Sequence, residues 1–385
     1  MAPHWARDAI AADFRAIAHD VAHGVSPQRA SRADSIWNVW ISFCTTINAP
    51  LYFDGIVDPI PTLLLFAHRF RYGQISPSGT TVRSRTVEDA LRAVGQKMAF
   101  LGKKDPRLTP AGLPDLRLSR LLSRYTKDDT PPWRVKPVPI QVVDAATSVG
   151  LLSTEASGLA IADMIILAFF FLLRPGEYAY SSSPESTPFR ICDVHLLIGQ
   201  RRLNWHACSD ADLLATTFVA LEFTSQKNGV RGELIGLSRS GSPTLCPVHA
   251  IIRRMQHFRQ LNAPSDTPLY TFYNGHAWHH VTPSIITSTL RSAVATIGAP
   301  LGIDDPSDIS ARSLRSGGAM ALLCAEVDTD KIRLLGRWRS DEMLRYLHIQ
   351  AYPLTATFAN QMLHHGNFAL LPNNPLHRLP PIPVL

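Results

Sequence analysis

The chain has 385 residues, 45% of them hydrophobic and 18% charged, so it is a globular protein with apolar material for about two domains at roughly 150 residues each. Five cysteines, Cys44, Cys192, Cys208, Cys246 and Cys324, stand far apart with no C-x-x-C pair, which excludes a disulfide framework or zinc knuckle and fits reduced thiols in an intracellular protein. The net charge of +7 sits on one side of the chain, since residues 1 to 136 hold 19 Lys and Arg against 12 Asp and Glu, while residues 137 to 385 hold 19 of each. Residues 83 to 136 alone hold 13 basic and 6 acidic side chains, the footprint expected of a partner with a phosphate backbone.

Along the chain, the N-terminal stretch "MAPHWARDAIAADFRAIAHD" carries acids throughout and lacks the apolar core of a secretory signal. "RADSIWNVWISFCTTI" then sets Ile36, Trp37, Trp40, Ile41 and Phe43 at helical spacing. "IPTLLLFAHRFRYG" is a helix stopped by Gly73, "TVRSRTVEDALRAVGQKMAFLG" one stopped by Gly102, and "LRLSRLLSRYT" completes an all-helical basic module over residues 1–126. Residues 127–139, "KDDTPPWRVKPVP", are rich in proline and charge without a period and form a linker. A second module spans 140–370. Its run "MIILAFFFLL", Met164 to Leu173, reads as a buried helix, far short of the roughly 18 apolar residues of a membrane span. "LLATTFVALEFTS", "KNG" and "VRGELIGL" read as strand, Asn-Gly turn and strand. Helices return through "CPVHAIIRRMQHF", "SIITSTLRSAVATIG" and "SLRSGGAMALLCAEVDTDKIRLLGRW", and the tail 371–385 is Pro-rich and extended. The fold class is therefore mainly α with a small antiparallel β-sheet.

Four features follow one another in the second module: Arg174 after the buried helix, Lys227 at the Asn-Gly turn, "RSLR" from Arg312 to Arg315, and "GRWRSDEMLRY" ending at Tyr346. Each alone has an ordinary account: a helix-end arginine on carbonyls, a solvated turn lysine, a half-buried core tyrosine. Together they suit phosphoryl chemistry. Attack on a phosphodiester builds charge on the non-bridging oxygens, which planar arginines such as Arg174 and Arg315 hold with paired bonds. A departing 5′ oxygen needs a proton, a task for Lys227. A phenol with a pKa of about 10 becomes a nucleophile only where positive charge favours its phenolate, as Arg333, Arg337 and Arg339 near Tyr346 would. The resulting 3′-phosphotyrosine conserves the bond energy, so rejoining requires neither ATP nor a metal, and no cofactor is implied.

The combination "LLRPGE", "SQKNG", "RSLRSGGA", "LLGRW" and Tyr346, nine residues beyond Arg337, resembles the catalytic domain of the tyrosine recombinases, the phage-integrase family, and its wording resembles eukaryotic mobile-element members of the DIRS and Crypton type. That resemblance implies an all-helical core-binding domain that clamps double-stranded DNA, followed by a catalytic domain that cuts and rejoins it. Arg174, Lys227, Arg312, Arg315, Arg337 and Tyr346 would be catalytic, and Glu177, Trp338 and His348 supporting. It also implies dimers to tetramers on DNA, with the tail as a docking element, and a nuclear location. Two positions depart from the family pattern: Arg312 stands where His-x-x-Arg has His, and Arg337 where His or Trp follows the glycine. Arginine neutralises an oxyanion but is no general base at neutral pH, so the Tyr346 proton would pass to water or His348. A catalytically inactive DNA-binding derivative and a type IB topoisomerase-like nicking and closing enzyme share the same pattern. "HAWHH", with His276, His279 and His280, lacks partner ligands and reads as a solvated turn rather than a metal site. "SLRSGGAMALLCAEVDTDKIRLLGRW" also has the order of a helix-turn-helix, which Gly317 and Gly318 permit.

Overall fold

A computed structural model describes residues 4–25, 27–130, 135–183, 186–224, 232–338, 360 and 363. The chain divides into two compact units, Met1–Pro132 and Trp133–Leu385.

The first unit is helical throughout: α1 (His4–His23), α2 (Pro27–Thr46), α3 (Ile60–Arg71), α4 (Ser84–Phe100) and α5 (Leu116–Asp128). Helix α1 precedes the first helix that spacing alone picks out, and α5 extends past Lys127 into the segment read as linker. The core collects one face each of α2, α3, α4 and α5, with Trp40, Phe43 and Phe66 at its centre. Trp40 and Phe66 meet edge to face at 5.2 Å, the arrangement aromatic quadrupoles prefer. Ile41, expected on the same stripe, instead lies 38% exposed. Three helix ends are joined by one carboxylate: Asp129 pairs with Arg71 and accepts from the Ser84 N–H at 2.9 Å and the Ser84 hydroxyl at 2.6 Å. Arg71 also lies over the Tyr125 ring. The stops at Gly73 and Gly102 hold, because both glycines adopt the positive φ that ends the preceding helix, 80° and 75°.

The second unit mixes helices with a small antiparallel sheet. It contains α6 (Ile140–Leu152), α7 (Ala156–Phe170), α8 (Pro175–Tyr178), β1 (Val194–Ile198), β2 (Arg201–Leu203), α9 (Asp210–Leu214), β3 (Phe218–Phe223), β4 (Glu233–Ser238), α10 (Pro247–Gln260), β5 (Thr271–Tyr273), β6 (Trp278–His280), α11 (Pro283–Ile297), α12 (Ser313–Cys324) and α13 (Thr329–Gly336). The strand order is β2-β1-β3-β4, with Phe223 opposite Glu233 at the end of the β3–β4 ladder. The predicted strand pair is present but shorter, since the "LLA" that preceded it belongs to α9 and the turn after it. Strands β5 and β6 form a separate ladder, so "HAWHH" is partly strand: His279 stacks on Phe272 and His280 on Tyr180.

Helix α7 is the centre of this unit, buried from Met164 to Phe169 as its unbroken apolar run requires. It carries one charge inward. Asp163 pairs with Arg253 of α10 at 2.6 Å, and burial pushes its carboxyl up to about 6 against the pull of Arg253 and Arg254. No described helix is long and apolar enough to cross a membrane.

Helices α12 and α13 have the expected helix, turn, helix order, yet Ser313 to Met320 are all buried. The two glycines of α12 therefore serve packing. A Cβ on Gly317 would collide with the Val138 carbonyl and one on Gly318 with the Phe169 carbonyl, both backbone atoms that cannot rotate away. Gly318→Ala is therefore expected to cost about 1–3 kcal/mol, lowering the thermal midpoint by about 3–8 °C in a melting experiment. A second stability prediction concerns acid. Burial, then the charge of Arg254, pulls the His257 imidazole down to about 4. Between pH 6.5 and 4 the unfolded chain takes up a proton there that the fold refuses, so acidification through this window costs stability. Asp163 works the other way between 3.8 and about 6. His257→Gln is expected to lose less stability than the wild type on acidification from pH 6.5 to 4 in denaturant titrations, Asp163 being common to both.

Candidate active site

The site is built where α7 ends. Past Phe170 the chain turns with Leu172 in the left-handed region, φ 51°, and this unusual backbone aims the Leu172 carbonyl at residues from far along the sequence. Arg315, from the first turn of α12, donates from Nη1 to that carbonyl at 2.6 Å and from Nη2 to the Gly336 carbonyl. Arg337 donates from Nη2 to the same Leu172 oxygen at 3.4 Å and from Nη1 to the Phe171 carbonyl at 3.5 Å.

Next along the chain, Arg174 caps α8. Its backbone N–H donates to Glu177 Oε2 at 2.8 Å and its Nη1 to Glu177 Oε1 at 3.0 Å. Arg337 Nη2 reaches Glu177 Oε2 at 2.8 Å. One carboxylate thus holds two guanidiniums, and a carbonyl two residues before Arg174 holds a third. Glu177, expected only to help orient the site, is 5% exposed and lies at its middle. Three guanidiniums and one carboxylate make up this contact set, and Glu233 adds a further negative charge that acts on Arg337.

Two aromatic faces complete the site. The Arg315 guanidinium lies 4.2 Å from the Trp338 ring and that of Arg337 3.8 Å from the Phe223 ring. Trp338 can fold back over Arg315 only because residue 336 is glycine: a Cβ there would lie inside the indole. Arg337 itself ends α13 in the left-handed region, φ 57°, a conformation that costs a non-glycine residue roughly 1–2 kcal/mol. Burial draws its guanidinium down to about 10, with Glu177 opposing that shift and Arg174 adding to it.

The candidate residues differ sharply in access. Arg315 and Arg337 are 4% and 5% exposed, with donors turned onto backbone carbonyls and Glu177, so in this conformation they give charge and order rather than an open fork. This departs from the expectation that Arg315 shares a phosphate clamp with Arg174. The Arg174 side chain is 31% exposed, and Arg312 is exposed at the N-terminus of α12, its N–H on Ser310 Oγ. Lys227, Tyr346, Arg339 and His348 lie outside the described residues. Phe223 was missed as a site residue, because at the end of an alternating apolar strand it has the signature of core.

No family model and no curated protein matches the chain. Among solved structures, the integrase of transposon Tn1549 in complex with circular intermediate DNA is similar at 11% identity and TM-score 0.44, covering 85% of this chain and 99% of that one. The same integrase in complex with transposon right end DNA gives 10% and 0.43, covering 86% and 99%. XerA recombinase gives 13% and 0.36, covering 90% and 95%. At such identities and scores the functional argument rests on this chain's own residues.

Removing one partner from a buried charged set leaves the others uncompensated, at about 3–5 kcal/mol. Glu177→Ala is accordingly expected to lower the denaturant midpoint more than Arg174→Ala, whose side chain is partly solvated, in matched urea titrations.

Proposed function

We propose that this chain is a DNA strand transferase of the tyrosine-recombinase type, cutting and rejoining DNA through a phosphotyrosine on Tyr346. One observation carries the reading. Arg174, Glu177, Arg315 and Arg337, drawn from motifs up to 163 residues apart in the sequence, converge on one carboxylate and one carbonyl with a surplus of positive charge. An unrelated protein has no reason to gather the arginines of that motif series.

In this reading the scissile phosphate docks against Arg174, with Arg312 as the second accessible guanidinium, while Arg315 and Arg337 add charge from beneath. The Tyr346 phenol oxygen attacks phosphorus, and the bond to the 5′ oxygen breaks. Its proton passes to water or His348, and the leaving oxygen takes one from Lys227, so charge and atoms balance. The 5′ hydroxyl of a second strand reverses the step and releases the tyrosine. The helical unit with its basic surplus would be the core-binding, DNA-clamping domain of an element-borne integrase, acting in the nucleus as a dimer to tetramer on double-stranded DNA. A specific feature favours a second reading, a DNA-binding derivative without chemistry: both positions where a histidine would accept a proton hold arginine, Arg312 and Arg337. A topoisomerase-like enzyme would share the nucleophile but relax supercoiled DNA without recombinants.

A pool of nicked, end-labelled duplexes incubated with the full chain and then denatured tests this. Label migrating with the protein, absent for Tyr346→Phe, is the expected result. Binding to the pool with no adduct would select the derivative.

A further inference from the structure

Helix α12 starts from a stretch, residues 309–312, that belongs to no helix or strand, so its backbone polar groups need partners from elsewhere. Side chains supply several of them. Arg291 of α11 donates from Nε to the Ile309 carbonyl at 2.9 Å and from Nη2 to the Ser307 carbonyl at 3.2 Å. Ala311, which is buried, is held on both sides: its N–H donates to Thr287 Oγ1 of α11 at 3.0 Å, and its carbonyl accepts from the Tyr178 phenol of α8 at 2.8 Å. Burial pushes that phenol above its ordinary value, so the group stays a donor. The carbonyl of Ala311 and the N–H of Arg312 lie in one rigid peptide plane, and that N–H donates to Ser310 Oγ at 3.3 Å. The plane that carries Arg312 is therefore held at both edges, while Arg312 itself is exposed. Tyr178 follows Glu177 on the same short turn that Arg174 caps. One turn thus meets Arg337 through its glutamate and the start of α12 through its tyrosine.

We propose that Tyr178 and Thr287 are positioning residues for Arg312: by holding the peptide planes on either side of Ala311, they set how far Arg312 stands from Arg174. The catalytic consequence rests on the strand-transfer reading, in which these two guanidiniums meet the scissile phosphate, while the geometric part does not. The oxygens of one phosphate are a fixed, short distance apart, and two forks serve them together only at a matching separation. Tyr178→Phe removes the donor and keeps the ring, which separates positioning from packing. Thr287→Val removes the acceptor and keeps the shape, and it takes the place of Tyr178→Phe if that variant does not unfold cooperatively.

Two measurements on the full chain decide it. The first is hydrogen exchange at the Ser313 amide, which is buried and closes a turn onto the Ser310 carbonyl at 2.8 Å, across the clamped residue. Tyr178→Phe should speed exchange there by about tenfold and leave the Ile251 and Ile252 amides of α10 unchanged. No acceleration at Ser313, or an equal one in α10, overturns the proposal whatever the enzyme does. The second is a double-mutant cycle on the rate of adduct formation, with nicked duplex recovered from the wild-type adduct. Tyr178→Phe should slow the wild type by about tenfold and Arg312→Ala by less than about threefold further, since a lost guanidinium cannot be misplaced. Equal slowing in the two backgrounds, or none in the wild type, makes Tyr178 a packing residue and overturns the proposal. If Arg312→Ala forms no adduct, the cycle is read on the dissociation constant of the same duplex, with Tyr346→Phe in all four proteins. There a rise of about threefold with Arg312 present and none without it is expected, and equal rises or no rise overturn the proposal. A wild type that forms no adduct refutes strand transfer, and the Ser313 amide then decides the geometric claim by itself.

Discussion

A single carboxylate shared by two guanidiniums organises the second unit. Glu177 stands in a buried position where an unpaired anion would be untenable, and where two unpaired cations would be worse. Its two oxygens divide the work: one takes Arg337 and the Arg174 backbone, the other takes the Arg174 side chain. Arg174 meets it from three residues away and Arg337 from 160. The short turn of α8 and the last turn of α13 are fixed relative to one another by satisfying it, and the end of α7 and the end of β3 join them through Arg337. Charge repulsion among the arginines opposes that assembly, and the carbonyls of Phe171, Leu172 and Gly336 relieve part of it by accepting their in-plane hydrogens.

Much of the architecture was legible in the sequence, for reasons that differ by element. Long amphipathic runs such as Ser84–Phe100 and the apolar block around Met164 declare themselves because several turns report the same face. Strands β1, β2, β5 and β6, three to five residues each, are too short for alternation to register. The N-terminal boundary of the β3 strand was misplaced because Leu213 and Leu214 are as apolar as a strand, although they end a helix. The motif residues could be chosen from spacing, yet their burial could not. Whether an arginine faces solvent or core depends on which acid it meets, and Glu177 meets Arg337 across 160 residues. For the same reason nothing marked Phe223: the pattern Val219, Leu221, Phe223 is that of any inward strand face, and its partner lies on another motif.

The arginines at the two expected histidine positions turn out to have unlike surroundings. Arg312 is a surface residue one helical turn before Arg315, while Arg337 is among the most enclosed charges of the unit. An imidazole at 337 could not replace the fork, because it has fewer donors and a different reach.

The left-handed turn at Arg337 has a consequence of a different kind. Because that residue is pinned by its side chain as well as its backbone, the chain that follows leaves from a fixed point inside the cluster. Tyr346 is nine residues further on, and a chain of that length spans at most about 30 Å even when fully drawn out. That length alone bounds how far Tyr346 can lie from the arginines, whatever path the chain takes between them.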